Sequence, residues 1–307
     1  MSKYSKIYFI GIGGIGMSAI ARYYKFKGYP VAGYDRTPSD LTHALEKEGI
    51  DIHYKDDPDY IPKDVASTLV VYTPAIPADL QELVYVREHG YTLVKRSRML
   101  GELAEGQTCL AVAGTHGKTT TSTLVAHILT ESGKGCSAFL GGISKNYDTN
   151  LLTSHTPTIV AEADEFDRSF LQLHPAIAAI TAMDADHLDI YGTLEEYRKA
   201  FKAFASQVSR TLIVKLGLDI TAEDTNARIL HYSYDNPDAD YHAANPRPDE
   251  VGHYIFDLVY PGGVIGNIRV GIPGWVNVEN SVAAAAVCLC HGVAPEAIKE
   301  AIGTYSG

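Results

Sequence analysis

The chain has 307 residues, 46% hydrophobic and 21% charged, with a formal net charge of −11. That mix is ordinary for a folded globular protein and excludes intrinsic disorder, and at about 100–200 residues per domain the length implies two domains. Residues 1–105 carry 13 Lys/Arg against 14 Asp/Glu and residues 106–307 carry 13 against 23, so neither half offers the basic surface that nucleic acid needs as a partner.

In chain order, Lys6 to Gly11 is a short β-rich run ending in glycine, and Met17 to Lys27 shows helical spacing of Ile20, Tyr23 and Tyr24. A second strand, Val31 to Tyr34, ends at Asp35. A helix over Leu41–Glu48, a strand over Ser67–Thr73, a helix over Gln81–His89 and a strand over Tyr91–Val94 follow. This alternation predicts a parallel sheet with helices on both faces. The rhythm restarts with a strand at Cys109–Ala113, which places a domain boundary near residue 106, between 1–105 and 106–307. Arg96 and Arg98, just before it, read as part of a solvated linker, with contact to an anionic ligand as the alternative.

In the second half, strands at Pro157–Ala163 and Ala176–Thr181 are apolar without alternation, which suits burial on both faces. Helices are predicted over Thr119–Glu131 and Leu194–Val208, and a strand over Thr211–Val214. Residues 229–272 change to period-two runs around Pro261-Gly262-Gly263, the signature of a hairpin at the sheet edge. Two helical stretches, Glu279–His291 and Pro295–Ile302, close the chain. The fold class is therefore α/β, a Rossmann-like parallel-sheet domain followed by a P-loop ATPase-type α/β domain.

The longest apolar run, Val282–Cys290, is far shorter than the roughly 20 residues of a membrane span, and no leader pattern opens the chain. A cytoplasmic protein with no membrane partner is expected. Cys109, Cys136, Cys288 and Cys290 are too few for a disulfide scaffold and read as reduced packing residues. His174, His231, His242, His253 and His291 have no motif around them and read as surface or packing residues.

Two glycine loops carry the chemistry. Gly11, Gly13 and Gly16 fit G-x-G-x-x-G between a strand and a helix, and Asp35 closes the next strand. Glycines let backbone approach a pyrophosphate, the helix N-terminus supplies N–H donors, and a carboxylate at that distance takes a ribose hydroxyl. Gly11, Gly13, Gly14, Ile15, Gly16, Met17 and Asp35 are the candidate binding residues, and the loop does not say which nucleotide binds. The second loop, Ala111 to Thr121, contains Gly114, Thr115, His116, Gly117, Lys118, Thr119 and Thr120. It offers backbone donors, a lysine for β/γ-phosphates and a hydroxyl for magnesium, although Val112 stands where the full P-loop pattern has glycine. ATP is the expected ligand. Glu162 and His187, near the ends of the next two buried strands, fit a Mg2+ site with Thr119. Asp164, Asp167 and Asp184 read as solvating charges.

Taken together, GIGGIGMS (11–18), GTHGKTTT (114–121), EADEFDRSFL (162–171), DADHLDIYGT (184–193) and PGWVNVENSVAAAA (273–286) resemble the Mur ligases of peptidoglycan synthesis. The pattern is most similar to the member that joins L-alanine to UDP-N-acetylmuramate. The resemblance implies that the first loop holds the sugar nucleotide and that ATP sits on Gly114–Thr120, with Asn277 and Asn280 near the adenine. It also implies Mg2+ at Thr119, Glu162 and His187, with Lys118, Glu162 and His187 as catalytic residues. The implied reaction is phosphorylation of the substrate carboxylate, then attack by the amine of L-alanine.

Three departures stand out. Val276 replaces the family histidine of the 273–286 segment. Phe201, between Lys199 and Lys202, occupies the position of the carbamylated lysine of sister ligases, so no such modification is expected. The chain stops at Thr304–Gly307, about where the family enters a third domain, so a fragment that binds substrates but ligates weakly or not at all is expected. Asn150 and Arg168 fall where the family builds its cleft, and Trp275 reads as an adenine cover or a core residue. A cell-wall recycling ligase that joins a peptide to the same sugar nucleotide and a nicotinamide-dependent oxidoreductase using Asp35 remain as alternatives; oligomeric state is not legible.

Overall fold

The computed structural model describes residues 4–186 and 188–307, and the chain forms two compact units, Met1–Leu103 and Ala104–Gly307. In the first, strands β1 (Lys6–Ile10), β2 (Val31–Tyr34), β3 (Asp51–His53), β4 (Thr68–Tyr72) and β5 (Thr92–Lys95) alternate with helices. These are α1 (Ile15–Phe26), α2 (Asp40–Lys47), α3 (Gln81–Glu88) and α4 (Arg96–Ala104), the last running up to the boundary. All five strands are parallel, in the order β3-β2-β1-β4-β5. The connections reverse direction between β1 and β4, and at such a switch point a crevice opens beyond the strand C-termini. Tyr8, Ile10, Val70, Leu83 and Val86 form the core between sheet and helix.

Two details differ from the sequence reading. Asp51–His53 pairs with β2 as a strand too short to announce itself. Arg96 and Arg98 lie in α4 rather than in a linker. Met99 and Leu103 are buried four residues apart, while Arg98 pairs with Glu102 at 2.9 Å on the exposed side, so the segment is amphipathic at helical period.

The second unit contains β6 (Thr108–Ala113), α5 (Lys118–Glu131), β7 (Ser137–Ser144), β8 (Thr149–Leu152), β9 (Thr158–Ala163) and β10 (Ile177–Ile180). It continues with α6 (Leu188–Tyr191), α7 (Leu194–Ser206), β11 (Thr211–Lys215), β12 (Arg228–Ser233), β13 (Tyr241–Pro248), β14 (Tyr254–Tyr260), β15 (Gly263–Arg269), α8 (Val276–Cys290) and α9 (Pro295–Thr304). One ten-stranded sheet runs β15-β14-β13-β12-β11-β10-β6-β9-β7-β8. From β13 through to β7 the neighbours are parallel, and β6 sits between β9 and β10, both buried. The strand C-termini on either side of β6 therefore flank the loop that follows it.

The segment 229–272 holds more than the expected hairpin. The hairpin is β14–β15, turning at Pro261 and Gly262, but β12 and β13 precede it as a parallel continuation of the sheet. Register shifts between Ala244 and Arg247, and again between Phe256 and Leu258, mark bulges that bend this ribbon. The β7–β8 hairpin was not legible because Gly141-Gly142 interrupts its apolar run.

The core of this unit joins Leu124, Val125 and Ile128 of α5 to Val282 and the alanines 283–286 of α8, whose small side chains let the two helices approach closely. Cys136 and Cys288 belong to the same core, and burial pushes the Cys136 thiol up to about 12, as it does that of Cys109. Trp275 is 55% exposed, its ring edge-on to Tyr234, so it is not a core residue. Among the described residues no helix is long and apolar enough to cross a membrane.

Candidate functional site

Both glycine loops end in helices that lack a side-chain cap. The N-termini of α2 and α7 are closed by Ser39 and Thr193, whereas α1 starts at Gly14 and α5 at Gly117 with no capping hydroxyl or carboxylate. Their first-turn N–H groups have no partner in the helix and are available to an anion. Neither first turn carries an acidic residue that would repel one.

In the first unit the loop after β1 borders a cavity of about 260 Å³ lined by Gly11, Gly14, Tyr34, Asp35, Arg36, Thr37, Thr73 and residues 75–77 and 80. It lies at the C-terminal ends of β1, β2 and β4. Asp35, expected to meet a sugar hydroxyl, has a structural duty as well: its Oδ2 accepts the Gly13 N–H at 2.7 Å and its Oδ1 the Thr37 N–H at 3.3 Å. A Cβ at position 13 would come within 2.8 Å of both Asp35 Oδ2 and Thr42, so glycine is required there for packing. Arg96 covers Gly16. Ile15 is partly exposed, while the Met17 side chain is buried.

Beside this cavity lies a buried polar cluster that sequence reasoning missed. Tyr34, on the cavity wall, has its ring 5.5 Å from that of His53. Tyr8 Oη donates to Glu82 Oε2 at 2.7 Å and lies 2.7 Å from His53 Nε2. Burial raises the Glu82 carboxyl to about 7 against the opposing pull of its hydrogen bonds, and burial lowers the His53 imidazole.

In the second unit, the loop between β6 and α5 is held in a shape that only glycine allows at two points, Gly114 (φ +137°) and Gly117 (φ +80°). Thr181, at the end of β10, donates its hydroxyl to Ala113 O at 3.1 Å and to His116 O at 2.5 Å. Thr115 Oγ1 bonds Asp184 O at 3.1 Å and lies 3.0 Å from Tyr197 Oη. The loop is thus fixed from β10, its following segment and α7. Lys118 Nζ lies within the loop, donating to Gly114 O at 2.7 Å and to Glu165 Oε1 at 3.0 Å. His116 is exposed, with Nε2 3.7 Å from Asp184 Oδ2, and Thr119 is exposed on the first turn of α5.

Glu162 is placed by register: it pairs with Val112 across β9 and β6, which puts its carboxylate next to the loop. Burial raises its pKa, with a hydrogen bond from Thr119 and the charge of Lys118 acting the other way. Its Oε2 is buried and accepts no hydrogen bond among the described residues. A buried, unsatisfied carboxylate oxygen beside a threonine hydroxyl is what a hard divalent cation takes as ligand. Magnesium usually takes one or two protein oxygens plus waters and substrate phosphates, and Glu162 and Thr119 offer oxygens of that kind. His187, the other expected ligand, lies outside the described residues.

Asn280 reaches the same loop from α8. Its Oδ1 lies 3.4 Å from Thr121 Oγ1, and its Nδ2 donates to Asn277 Oδ1 at 3.3 Å. Asn277 in turn donates to Pro273 O at 2.7 Å. Thr120 is half-buried on α5, its carbonyl accepting from Tyr305 Oη at 3.4 Å. Val276 is exposed on the first turn of α8. Phe201 is fully buried with its ring 5.1 Å from that of Phe170, while Lys199 and Lys202 form ion pairs with Glu195, Glu196, Asp219 and Asp224. Asn150 is buried on β8. Asp167 and Arg168 adopt φ of +51° and +55°, and the Arg168 guanidinium sits 5.2 Å from the Tyr191 ring centre.

Comparison with known proteins follows the same division. Residues 6–108 match the Mur ligase family catalytic domain and residues 112–288 match the Mur ligase middle domain. The UDP-N-acetylmuramate–L-alanine ligase of Porphyromonas gingivalis is 49% identical over 98% of this chain, and that of Parabacteroides distasonis 48% over all of it; the match spans 68% of each relative. Among solved structures, the UDP-N-acetylmuramate–alanine ligase of Thermotoga maritima superposes with a TM-score of 0.86 at 28% identity, over 98% of this chain and 69% of that one. The UDP-N-acetylmuramate:L-alanyl-gamma-D-glutamyl-meso-diaminopimelate ligase of Neisseria meningitides superposes with a TM-score of 0.87 at 23% identity over 99% of both chains, a likeness of fold.

Proposed function

The chain belongs to the Mur ligase family, and on that premise we propose that it joins L-alanine to UDP-N-acetylmuramate at the expense of ATP. The observation that carries the reading is the 49% identity, over nearly the whole chain, to a ligase named for that reaction. The geometry of the second unit supports it.

In this reading the cavity after β1 takes the pyrophosphate and uridine of the sugar nucleotide, with the uncapped α1 facing the anion. The triphosphate lies along Gly114–Thr120, cradled by the first-turn amides of α5, with Asn277 and Asn280 on the adenine side. A carboxylate is a poor electrophile, so the substrate carboxylate takes the γ-phosphoryl group to become an acyl phosphate. ADP leaves in that step; the amine of L-alanine then attacks the acyl carbon, gives up a proton and expels inorganic phosphate, leaving the amide. Lys118 supplies positive charge where the transferring phosphoryl group gathers negative charge. Thr119 and Glu162 would hold magnesium, with His187 as a further ligand, and the ion would supply charge neutralisation on the phosphates. The compartment proposed is the cytoplasm, and the partners are small molecules.

Two measurements test this. Calorimetric titration with UDP-N-acetylmuramate beside NADH is expected to give saturable binding of the sugar nucleotide alone; binding of NADH alone overturns the reading of the first unit. Phosphate release that depends on both UDP-N-acetylmuramate and L-alanine tests the reaction. Release with a cell-wall tripeptide but not with L-alanine would overturn the amino-acid assignment.

A further inference from the structure

The lysine assigned to the phosphates is not waiting open. Lys118 Nζ is surrounded by three oxygens: Gly114 O at 2.7 Å and both carboxylate oxygens of Glu165, at 3.0 and 2.8 Å. Two of its three N–H groups are donated, to Gly114 O and to Glu165 Oε1, while Glu165 Oε2 stands at ion-pair distance without accepting a hydrogen bond among the described residues. Glu165 is 1% exposed and Lys118 14%, so this is a buried ion pair rather than a surface contact. The backbone that carries Glu165 is held by the chain around it. Tyr191 Oη donates to the Glu165 carbonyl at 2.6 Å, and the Phe170 N–H bonds Asp164 O at 2.9 Å, closing the turn through the left-handed Asp167 and Arg168.

We propose that Glu165 is an affinity-setting residue that occupies Lys118 in the nucleotide-free protein and is displaced from it by the terminal phosphates of the incoming nucleotide. This rests on the assignment of ATP to the loop. A phosphate oxygen and the Glu165 carboxylate are both anionic acceptors competing for one ammonium, and two anions crowded on it repel each other. Binding therefore exchanges one charge-assisted contact for another, and the net affinity is lower than the phosphate contact alone would give. In return, the empty loop never buries an uncompensated ammonium, which would be strongly destabilising. Glu165 acts through Lys118; it is a positioning residue, not a catalytic one.

The test is calorimetric titration of the wild-type chain and of Glu165→Gln with ADP, a non-hydrolysable ATP analogue and AMP, each without metal. The isosteric amide keeps the shape and removes the competing charge. The ATP analogue and ADP are expected to bind about tenfold tighter to Glu165→Gln, the order of one charge-assisted hydrogen bond that no longer has to be exchanged. AMP is expected to be unchanged, because a P-loop lysine serves the β- and γ-phosphates. Equal or weaker ATP-analogue binding to Glu165→Gln, with wild type binding normally, overturns the proposal alone, as does an equal gain for AMP. No binding of any nucleotide by wild type overturns the ATP assignment and this proposal with it. Should Glu165→Gln fail to fold by circular dichroism, Glu165→Asp, which draws the charge back by one methylene, must move the ADP affinity in the same direction by a smaller factor; a decrease overturns the proposal.

Discussion

Gly141 of β7 lies directly against the carboxylate of Glu162, so close that a Cβ at position 141 would occupy the same space as the carboxyl group. One hydrogen atom on the neighbouring strand is thus what gives Glu162 room beside the P-loop. Gly141→Ala is expected to push that carboxylate out of place and weaken magnesium-dependent nucleotide binding by about 10–100-fold, the usual cost of disturbing a residue that positions a metal ligand. Titration with an ATP analogue in magnesium and in EDTA checks this; the loss must appear only with magnesium.

Glu162 itself is held at a cost. Its Oε2 is buried and accepts no hydrogen bond among the described residues. Replacing it with the neutral Gln removes a buried charge, so Glu162→Gln is expected to melt about 2–4 °C higher without ligand, the shift of roughly 1 kcal/mol in a domain of this size. The same variant loses magnesium-dependent nucleotide binding. A lower melting temperature would show that the carboxylate stabilises the empty loop.

In the first unit, Gly13→Val would drive a side chain into Asp35 and Thr42. The expected outcome is loss of UDP-N-acetylmuramate binding and a destabilisation of about 1–3 kcal/mol from overpacking. Urea unfolding and calorimetry measure the two effects, and ATP binding in the second unit should be unaltered.

The Glu82 cluster gives the first unit a defined response to pH. Burial lifts this carboxyl to about 7, above its unfolded value, so its contribution to stability is complete below the ordinary carboxylate range and is lost as the pH rises through about 7. Glu82→Gln, which keeps an acceptor for Tyr8, should be the more stable form at pH 8 by about 3 kcal/mol, a gap that closes towards pH 4.5. His53 acts in the opposite sense, its lowered pKa making its contribution vanish as the pH falls below the histidine range. Urea midpoints of the two proteins at pH 5 and pH 8 decide the matter; a constant difference contradicts the assignment.

The strand–glycine–helix signals at Gly11–Gly16 and Gly114–Lys118 were legible because local backbone geometry alone demands them, and Glu162 was legible as the polar end of an apolar strand. Relationships between distant parts of the chain were not. Glu165 meets Lys118 across 47 residues, and within EADEFD nothing separates it from its solvated neighbours. Gly141 carried no local signal, since its purpose lies on another strand. Thr181 and Tyr197 brace the loop through hydrogen bonds that no periodicity encodes. Helix α4 was missed because three basic residues in Lys95–Arg98 mask the buried pair Met99 and Leu103 that drives it.

The bent ribbon at the end of the large sheet has a consequence for how the protein behaves at high concentration. A long flat edge strand invites another chain to add on to it. Here the outermost strand, β15, follows two breaks in register, and Lys299 of α9 donates to the Gly266 carbonyl at 2.7 Å, occupying an acceptor on that edge. At the opposite end β8 is only four residues long. Both margins of a ten-stranded sheet are thereby poor templates for the addition of another strand.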